Sequence, residues 1–177
     1  MNNSHISTDL VVLGGGPGGY PAAFLAADLG MDVLLIDPSD NPGGVCLYRG
    51  CIPSKSLLKV AKTIRQAEYL ALMGVEFGIP RVDLKRLRAS AQEVVASLTD
   101  GLGRLVNSRK IRHLRGMGIL RDERTITLDK EIEGISTVGF NNLILATGSS
   151  PRRIPNVPDT PFIWSSDDAL TLPEIPK

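Results

Sequence analysis

The N-terminal part of the chain alternates between apolar runs and glycine-rich or polar stretches in a way that predicts a βαβ unit. An apolar, β-branched run over Asp9–Leu13 has the composition of a buried strand, and glycines follow it directly. Small and apolar residues over Tyr20–Leu29 predict a helix, which Gly30 would end. A second buried strand, Asp32–Ile36, is followed by Asp37. Strand, helix and strand in this order are typical of a parallel sheet with helices on its faces.

The middle of the chain has helical periodicity. The pattern predicts a helix over Ile52–Leu72, whose apolar stripe contains Leu57, Leu58, Ala61, Ile64 and Ala67. Beyond a loop with Gly74, Gly78 and Pro80, a second helix is predicted over Asp83–Val106. Its apolar residues lie alternately three and four apart: Leu84, Leu87, Ala91, Val94, Leu98, Leu102 and Leu105. This spacing is compatible with a coiled-coil seam, but three heptads favour antiparallel packing on the preceding helix.

After Lys110 the pattern changes to short strands joined by charged or glycine-containing turns: Ile111–Leu120, Thr125–Leu128, Ile135–Phe140 and the buried strand Asn142–Ala146. Residues 1–150 are therefore predicted to form an α/β, Rossmann-like domain with a parallel sheet, helices and a small β-meander, incomplete at its C-terminus. Residues 151–177 are rich in proline and lack periodicity, which predicts an extended connection.

Composition and charge narrow the possible partners. The chain has 177 residues, 42% of them hydrophobic, and a net charge of +1, which suits one globular domain with a core. The near-neutral charge disfavours general binding to nucleic acid or to a membrane surface. A basic stretch over residues 104–115 has no interleaved aromatic residues and is interpreted as a solvated face. The start, Met1–His5, lacks the charged-then-apolar pattern of a signal peptide, so we expect a cytoplasmic protein.

The glycines after the first strand form a G-x-G-x-x-G motif. Gly14 would make the tight turn, Gly16 would let the backbone approach a pyrophosphate, and Gly19 would allow close contact between helix and strand. The following helix N-terminus offers free N–H groups to the phosphates. Asp37, at the end of the second strand, can accept hydrogen bonds from ribose hydroxyls and disfavours a 2′-phosphate. The motif therefore predicts dinucleotide binding without separating FAD from NAD.

The only two cysteines, Cys46 and Cys51, lie in the segment GGVCLYRGCIPSK over residues 43–55. Pro53 suits the first turn of a helix. If that helix begins near Cys51, then Lys55 lies one turn further along the same face. The positive helix end and the ammonium group would both lower the pKa of the Cys51 thiol. This arrangement favours redox chemistry.

Three other interpretations of the cysteine pair are open at this point. A structural disulfide is one, although no oxidising compartment is indicated. A zinc site is another, but the only additional soft ligands are His5 and His113, and neither has finger-like spacing. Two buried, inert thiols are the third.

Together, the glycine motif, the cysteine segment and the strand end Ala146-Thr147-Gly148 closely resemble the flavin disulfide reductases. The likeness runs from the first strand to Ser165. Within the family, Ser54 before Lys55 and the sequence YPAA over residues 20–23 look more like the dihydrolipoamide dehydrogenases than the glutathione reductases. The resemblance implies that the dinucleotide is FAD and that a later domain, which is not in this chain, binds NAD.

The resemblance also implies residue roles. Cys46 would be the interchange thiol and Cys51 the charge-transfer thiol, with Lys55 near the reactive nitrogen of the flavin. The segment from Asp37 to Cys46, including Gly43, Gly44 and Val45, would line the adenosine and pyrophosphate. Gly118 would contact the adenine end, and Thr147 and Gly148 would close over the cofactor. Relatives commonly have glutamate at the position of Asp37, so the strength of the ribose contact is open.

The implied reaction is the oxidation of dihydrolipoamide through a Cys46–Cys51 disulfide, with electrons passing through FAD to NAD⁺. The implied partners are lipoyl-bearing components of 2-oxo acid dehydrogenase or glycine cleavage complexes, and a second subunit in a homodimer. The chain has neither a second glycine fingerprint nor the family's His–Glu base. We therefore expect a fragment that is inactive by itself. A mercuric or glutathione reductase, a non-catalytic flavin-binding module and a thiol sensor are the alternatives.

Overall fold

A computed structural model describes residues 5–152, 154–158 and 160–176, so Met1–Ser4 lie outside the described residues. The strands are β1 (His5–Leu13), β2 (Val33–Ile36), β3 (Arg112–Leu114), β4 (Gly118–Leu120), β5 (Thr125–Ile132) and β6 (Ile135–Leu145). The helices are α1 (Tyr20–Asp28), α2 (Gly44–Arg49), α3 (Cys51–Ala71), α4 (Leu84–Ser108) and α5 (Ser166–Thr171). Two compact units are present: residues up to Val45 with Leu98–Ser149, and Cys46–Ser97 with the residues from Ser150 on.

The first unit contains one six-stranded sheet in the order β3-β2-β1-β6-β5-β4. Strands β3, β2, β1 and β6 are parallel, whereas β6, β5 and β4 form an antiparallel meander. The α/β, Rossmann-like fold with a small meander, as expected from the sequence, is confirmed. Among the described residues, helices that are both long and apolar enough to cross a membrane are absent.

Both faces of the central strands are buried, which explains why β1 and β2 are continuous apolar runs rather than alternating ones. Val11 and Leu34 lie in a cluster that extends over the meander to Ile126 and Val138. On the opposite face, Val12 and Leu35 belong to a cluster that includes residues of α1 and the end of α4. Apolar side chains therefore pack against both faces of the central strands.

Two strand predictions were wrong in their boundaries. The single strand expected over Ile111–Leu120 is two strands, because β3 pairs with β2 whereas β4 pairs with β5. The two strands expected over Ile135–Phe140 and Asn142–Ala146 are one, because β6 pairs with β1 along nearly its whole length. The side chain of Asn142 donates to the carbonyl of Asp9 at 3.2 Å, which keeps this polar position within the strand.

The apolar stripe predicted for α4 is correct in its first half and wrong in its second. Ala91 is buried as expected, but Val94 is 42% exposed and Leu98 is 44% exposed. The buried positions beyond Ala91 are instead Thr99 and Val106. A straight helix has 3.6 residues per turn, so a face defined by a seven-residue repeat drifts by about 20° per heptad. The predicted heptad stripe is therefore not the buried face of α4 along its whole length.

The helices α2 and α5 were not predicted. The segment after Ser150 was expected to be an extended connection, but Ser165 caps α5 there. Its side chain accepts from the backbone N–H of Asp168 at 3.2 Å, and the Asp168 carboxylate accepts from the backbone N–H of Ser165 at 2.8 Å. This reciprocal capping box satisfies two N–H groups at the helix start.

Two leucines of the first unit allow a matched test of the core. Leu35 is fully buried and Leu29 is 75% exposed. We expect Leu35→Ala to lower the free energy of unfolding by about 2–5 kcal/mol, because it leaves a cavity between sheet and helix. Leu29→Ala should change it by about 0.5 kcal/mol or less. Urea denaturation measures both, and equal effects would contradict the described core.

Candidate active site

The glycine loop after β1 is closed by short backbone hydrogen bonds. The N–H of Gly14 donates to the carbonyl of Ile36 at 2.8 Å, and the N–H groups of Gly19 and Tyr20 both donate to the carbonyl of Gly16. Gly14 has a φ of +105°, which side-chain-bearing residues rarely adopt. The loop therefore turns directly from the end of β1 into the N-terminus of α1.

At two of the motif glycines, neighbouring backbone atoms leave no room for a side chain. A Cβ on Gly14 would overlap the carbonyl of Ala146, which follows β6, and a Cβ on Gly19 would overlap the carbonyl of Gly14. A Cβ on Gly16 would instead meet only the Cα of Gly44, at the ordinary contact distance of 3.8 Å. The protein itself thus leaves room for a Cβ at Gly16, and a bound pyrophosphate could use this space.

Asp37 is buried where β2 ends, and its carboxylate is anchored to the loop. One oxygen accepts from the backbone N–H of Gly15 at 2.6 Å, and the other accepts from the N–H of Ser39 at 2.9 Å. Each carboxylate oxygen has two lone pairs, so a further hydrogen bond from a ribose hydroxyl remains feasible. The sequence motif did not predict that Asp37 also holds the glycine loop in place.

The second glycine pair lies directly against the first loop. The N–H of Gly43 donates to the carbonyl of Gly15 at 2.8 Å. Gly44 has a φ of +58°, and a Cβ at this position would collide with the Cα of Gly16. Helix α2 begins at Gly44, so Val45 and Cys46 fall in its first turn. The contact between Gly44 and Gly16 therefore positions the N-terminus of α2 beside the glycine loop.

The end of β6 completes the loop. The N–H of Ala146 donates to the carbonyl of Leu13 at 2.8 Å, which extends the pairing to the start of the glycine turn. Thr147 and Gly148 follow and are exposed, with Gly148 at a φ of +74°. Because β1, β2 and β6 are parallel, their carboxyl ends lie at one edge of the sheet, where ligands of open α/β sheets bind.

Gly118 has a packing requirement that the sequence did not reveal. It begins β4, and a Cβ on it would lie 2.8 Å from Cδ1 of Leu13 and 2.9 Å from Cγ2 of Ile126. The position thus faces the core. A contact with an adenine ring would have to come from the backbone of Gly118.

The two cysteines lie in the second unit as free thiols, near enough for the Cys51 side chain to affect the pKa of Cys46. Cys51 is the first residue of α3 and is exposed, whereas Cys46 is half-buried in α2. The prediction that a helix begins near Cys51 is confirmed. Lys55 is exposed one turn further along the helix. The hydroxyl of Ser54 donates to the carbonyl of Cys51 at 3.0 Å.

The pKa of Cys46 is raised above its ordinary value. The largest cause is the hydrogen bond with the Cys51 side chain, and partial burial acts in the same direction. The positive charge of Lys55 is a smaller influence that lowers the pKa. The Cys46 thiol therefore keeps its proton at neutral pH.

His113 entered the sequence analysis only as a possible soft metal ligand. It lies in the middle of β3, and its pKa is lowered because burial disfavours the charged ring, while the charge of Asp37 opposes the shift. Its Nε2 atom is buried without a hydrogen-bond partner among the described residues. The ring lines a polar cavity of about 370 Å³ together with Asp40, Asn41, Asn107, Arg115 and Glu133.

The described residues contain no group of three or more histidine, cysteine or acidic side chains that could hold a metal ion. They do fit a dinucleotide. The loop offers N–H groups, an open position at Gly16 and a helix N-terminus to a pyrophosphate, and Asp37 offers acceptors to a ribose.

Comparison with known proteins agrees with this geometry. Residues 8–177 match the family described as pyridine nucleotide-disulphide oxidoreductase. The chain is 46% identical over 176 residues to a protein of Buchnera aphidicola subsp. Acyrthosiphon pisum named dihydrolipoyl dehydrogenase. Proteins of the same name from Haemophilus influenzae and Vibrio cholerae are 43% and 45% identical.

These alignments cover 98–99% of the chain but 37% of each relative. The chain thus spans a little over a third of the length of the relatives it matches. Its glycine loop, its cysteine pair and all of its sheet except the first three residues of β1 lie within the matched residues 8–177. The chain belongs to the pyridine nucleotide-disulphide oxidoreductase family.

Proposed function

We propose that this chain is the FAD-binding part of a dihydrolipoyl dehydrogenase and carries its redox-active cysteines. The observation that carries the proposal is the pair of neighbouring free thiols, Cys46 in α2 and Cys51 at the start of α3, one turn before Lys55. The pair follows a dinucleotide-type glycine loop in a chain whose relatives carry this name.

In the proposed cycle the Cys46–Cys51 pair begins as a disulfide. One thiolate of dihydrolipoamide attacks the sulfur of Cys46, forming a mixed disulfide and releasing Cys51 as a thiolate. The second substrate thiol then attacks the mixed disulfide, so that lipoamide leaves with its own disulfide closed and Cys46 is released. Two electrons and two protons have left the substrate, and the protein holds a dithiol.

When bound, FAD would supply the chemistry that takes the electron pair from the dithiol and delivers it to NAD⁺ as hydride. The chain's own residues bind and orient. Gly14, Gly16 and Gly19 would hold the pyrophosphate, and Asp37 would hold the ribose. Gly43, Gly44, Val45, Thr147 and Gly148 would enclose the cofactor, and Gly118 would meet the adenine through its backbone.

In the reduced Cys46–Cys51 pair, Cys46 carries the proton. Because the pKa of Cys46 is raised, Cys46 keeps its proton and can donate a hydrogen bond to a thiolate on Cys51. Lys55 adds a positive charge on the same face of α3. The proposal also includes NAD⁺, a lipoyl-bearing partner complex and a homodimer. These parts depend on residues beyond this chain.

A substitution of one loop glycine tests the cofactor site without disturbing the fold. Gly16→Ala meets only an ordinary contact within the protein, so we expect the variant to fold and to bind FAD about tenfold more weakly or worse, because the methyl group occupies the approach of the pyrophosphate. The FAD dissociation constant is measured by flavin fluorescence.

Gly18→Ala is the matched control. Its Cβ would also meet a single atom at 3.8 Å, on Ala146, but the position lies outside the motif glycines. It should bind FAD like the unsubstituted protein. If Gly16→Ala bound FAD as tightly as the unsubstituted protein, the glycine loop would not be part of the cofactor site.

A trapped mixed disulfide tests the assignment of the two thiols. In the FAD-loaded protein, Cys51→Ser should form a stable mixed disulfide on Cys46 with a linear disulfide such as 4,4′-dithiodipyridine, because no second thiol remains to resolve it. Cys46→Ser should form little adduct, because the flavin is proposed to cover Cys51. Intact-protein mass spectrometry measures the adduct.

Without FAD, Cys51 is exposed, so the Cys46→Ser variant should then react with the same linear disulfide. Ser54→Ala retains both thiols and serves as the control. An adduct on Cys51 that is as abundant with FAD as without it would show that the flavin does not lie against this thiol, and would contradict the assignment.

A further inference from the structure

Helix α4 contains two glycines near its C-terminal end, Gly101 and Gly103, although glycine is among the least favourable residues in a helix interior. The surroundings of the two glycines differ. A Cβ on Gly101 would meet only Nη2 of Arg104, at 3.9 Å. A Cβ on Gly103 would overlap Oδ1 of Asn41 and would lie 2.8 Å from Cγ of the same residue. The space beside Gly103 is therefore filled by the Asn41 side chain.

The Asn41 side chain has a further contact with the same helix. Its Nδ2 atom donates to Oδ1 of Asp100 at 3.0 Å. Asp100 lies three residues before Gly103, so the two positions are neighbours on one face of α4. One end of the Asn41 amide thus lies against Gly103, and the other end is held by Asp100.

Asn41 is also close in sequence to the contact with the glycine loop. The next residue, Pro42, is fully buried, and the N–H of Gly43 then donates to the carbonyl of Gly15 at 2.8 Å. Only Pro42 separates the contact with α4 from the contact with the loop. Because proline has a fixed φ, the chain has little freedom between these two points. The place of Asn41 on α4 therefore affects how Gly43 meets Gly15.

A role in fold stability alone is the simpler interpretation of the contact between Asn41 and Gly103. Glycine lowers the stability of a helix interior, however, so a contact that requires glycine there is a poor way to stabilise the fold. A second tie of the same segment, between Asp40 and Arg115 at 3.5 Å, joins two exposed side chains and contributes little. The contact with α4 is thus the closer anchor of the segment before Gly43.

We propose that Asn41 and Gly103 are positioning residues for the cofactor, because their contact sets the place of Gly43 against the glycine loop and with it the affinity for FAD. The proposal rests on the proposed function, since it concerns the same dinucleotide site. Neither residue acts by touching FAD. Both act through the backbone of Gly43, which adds α4 to the elements that build the site.

Matched substitutions in α4 test this proposal. Gly101→Ala and Gly103→Ala favour the helix to the same extent, but only Gly103→Ala displaces the Asn41 side chain. We expect Gly103→Ala to weaken FAD binding about fivefold, which corresponds to the loss of about one hydrogen bond. Gly101→Ala should bind FAD like the unsubstituted protein. The FAD dissociation constant is measured by flavin fluorescence.

A double variant tests whether the effect passes through Asn41. Asn41→Ala removes the amide group and should itself weaken FAD binding about threefold. In Asn41→Ala/Gly103→Ala the atoms that the new methyl group would overlap are absent, so we expect no further loss. A fivefold loss from Gly103→Ala in both backgrounds would overturn the inference. Equal FAD affinity of Gly103→Ala and Gly101→Ala would overturn it as well.

Hydrogen exchange of the Gly43 amide, followed by NMR, tests the same contact without the cofactor. In the FAD-free protein this N–H should exchange about fivefold faster in Gly103→Ala than in Gly101→Ala, because its bond to Gly15 opens more often. Absence of FAD binding by the unsubstituted protein would refute the proposed function, while faster exchange at Gly43 would still support the positioning by Asn41 and Gly103. Equal exchange in the two variants, or faster exchange throughout β1 and β2, would contradict it.

Discussion

Close contact between backbone segments at the carboxyl ends of β1, β2 and β6 is the constraint on which the candidate cofactor site depends. Gly14 lies against the carbonyl of Ala146, and Gly44 lies against the Cα of Gly16. Side chains at Gly14 or Gly44 would separate these segments. The glycines are thus needed first for the protein's own packing, and the space they leave is what a pyrophosphate can use.

The anchoring of Asp37 belongs to the same constraint. Its carboxylate accepts N–H groups from Gly15 and Ser39, so a single acidic side chain ties the end of β2 to the loop that follows β1. Buried carboxylates are costly unless they are hydrogen-bonded in this way. A residue that would contact a ribose is therefore also the residue that holds the phosphate loop in shape.

The arrangement of the thiols depends on helix geometry rather than on close contacts between backbone segments. Cys51 begins α3, and Lys55 follows one turn later, so the thiol and the cation share a face. Cys46 lies in α2, and the neighbouring Cys51 side chain raises the pKa of Cys46.

Much of this could be predicted from the sequence, because the signals are local. The glycine motif between a strand and a helix defined the loop, and Pro53 marked the start of α3. The burial of α4 could not be predicted from apolar spacing alone, because Thr99 lies on the buried face whereas Leu98 does not. The core position of Gly118 and the hydrogen bonds of Asp37 depend on contacts between residues distant in sequence, which no local pattern records.

The most direct test of the account is the visible absorption spectrum of the FAD-loaded protein before and after addition of dihydrolipoamide. If the reduced pair places the Cys51 thiolate against the flavin, a long-wavelength charge-transfer band should appear, and Cys51→Ser should abolish it. A bound flavin whose spectrum does not change on reduction of the two cysteines would contradict the central claim that this chain joins a thiol pair to FAD.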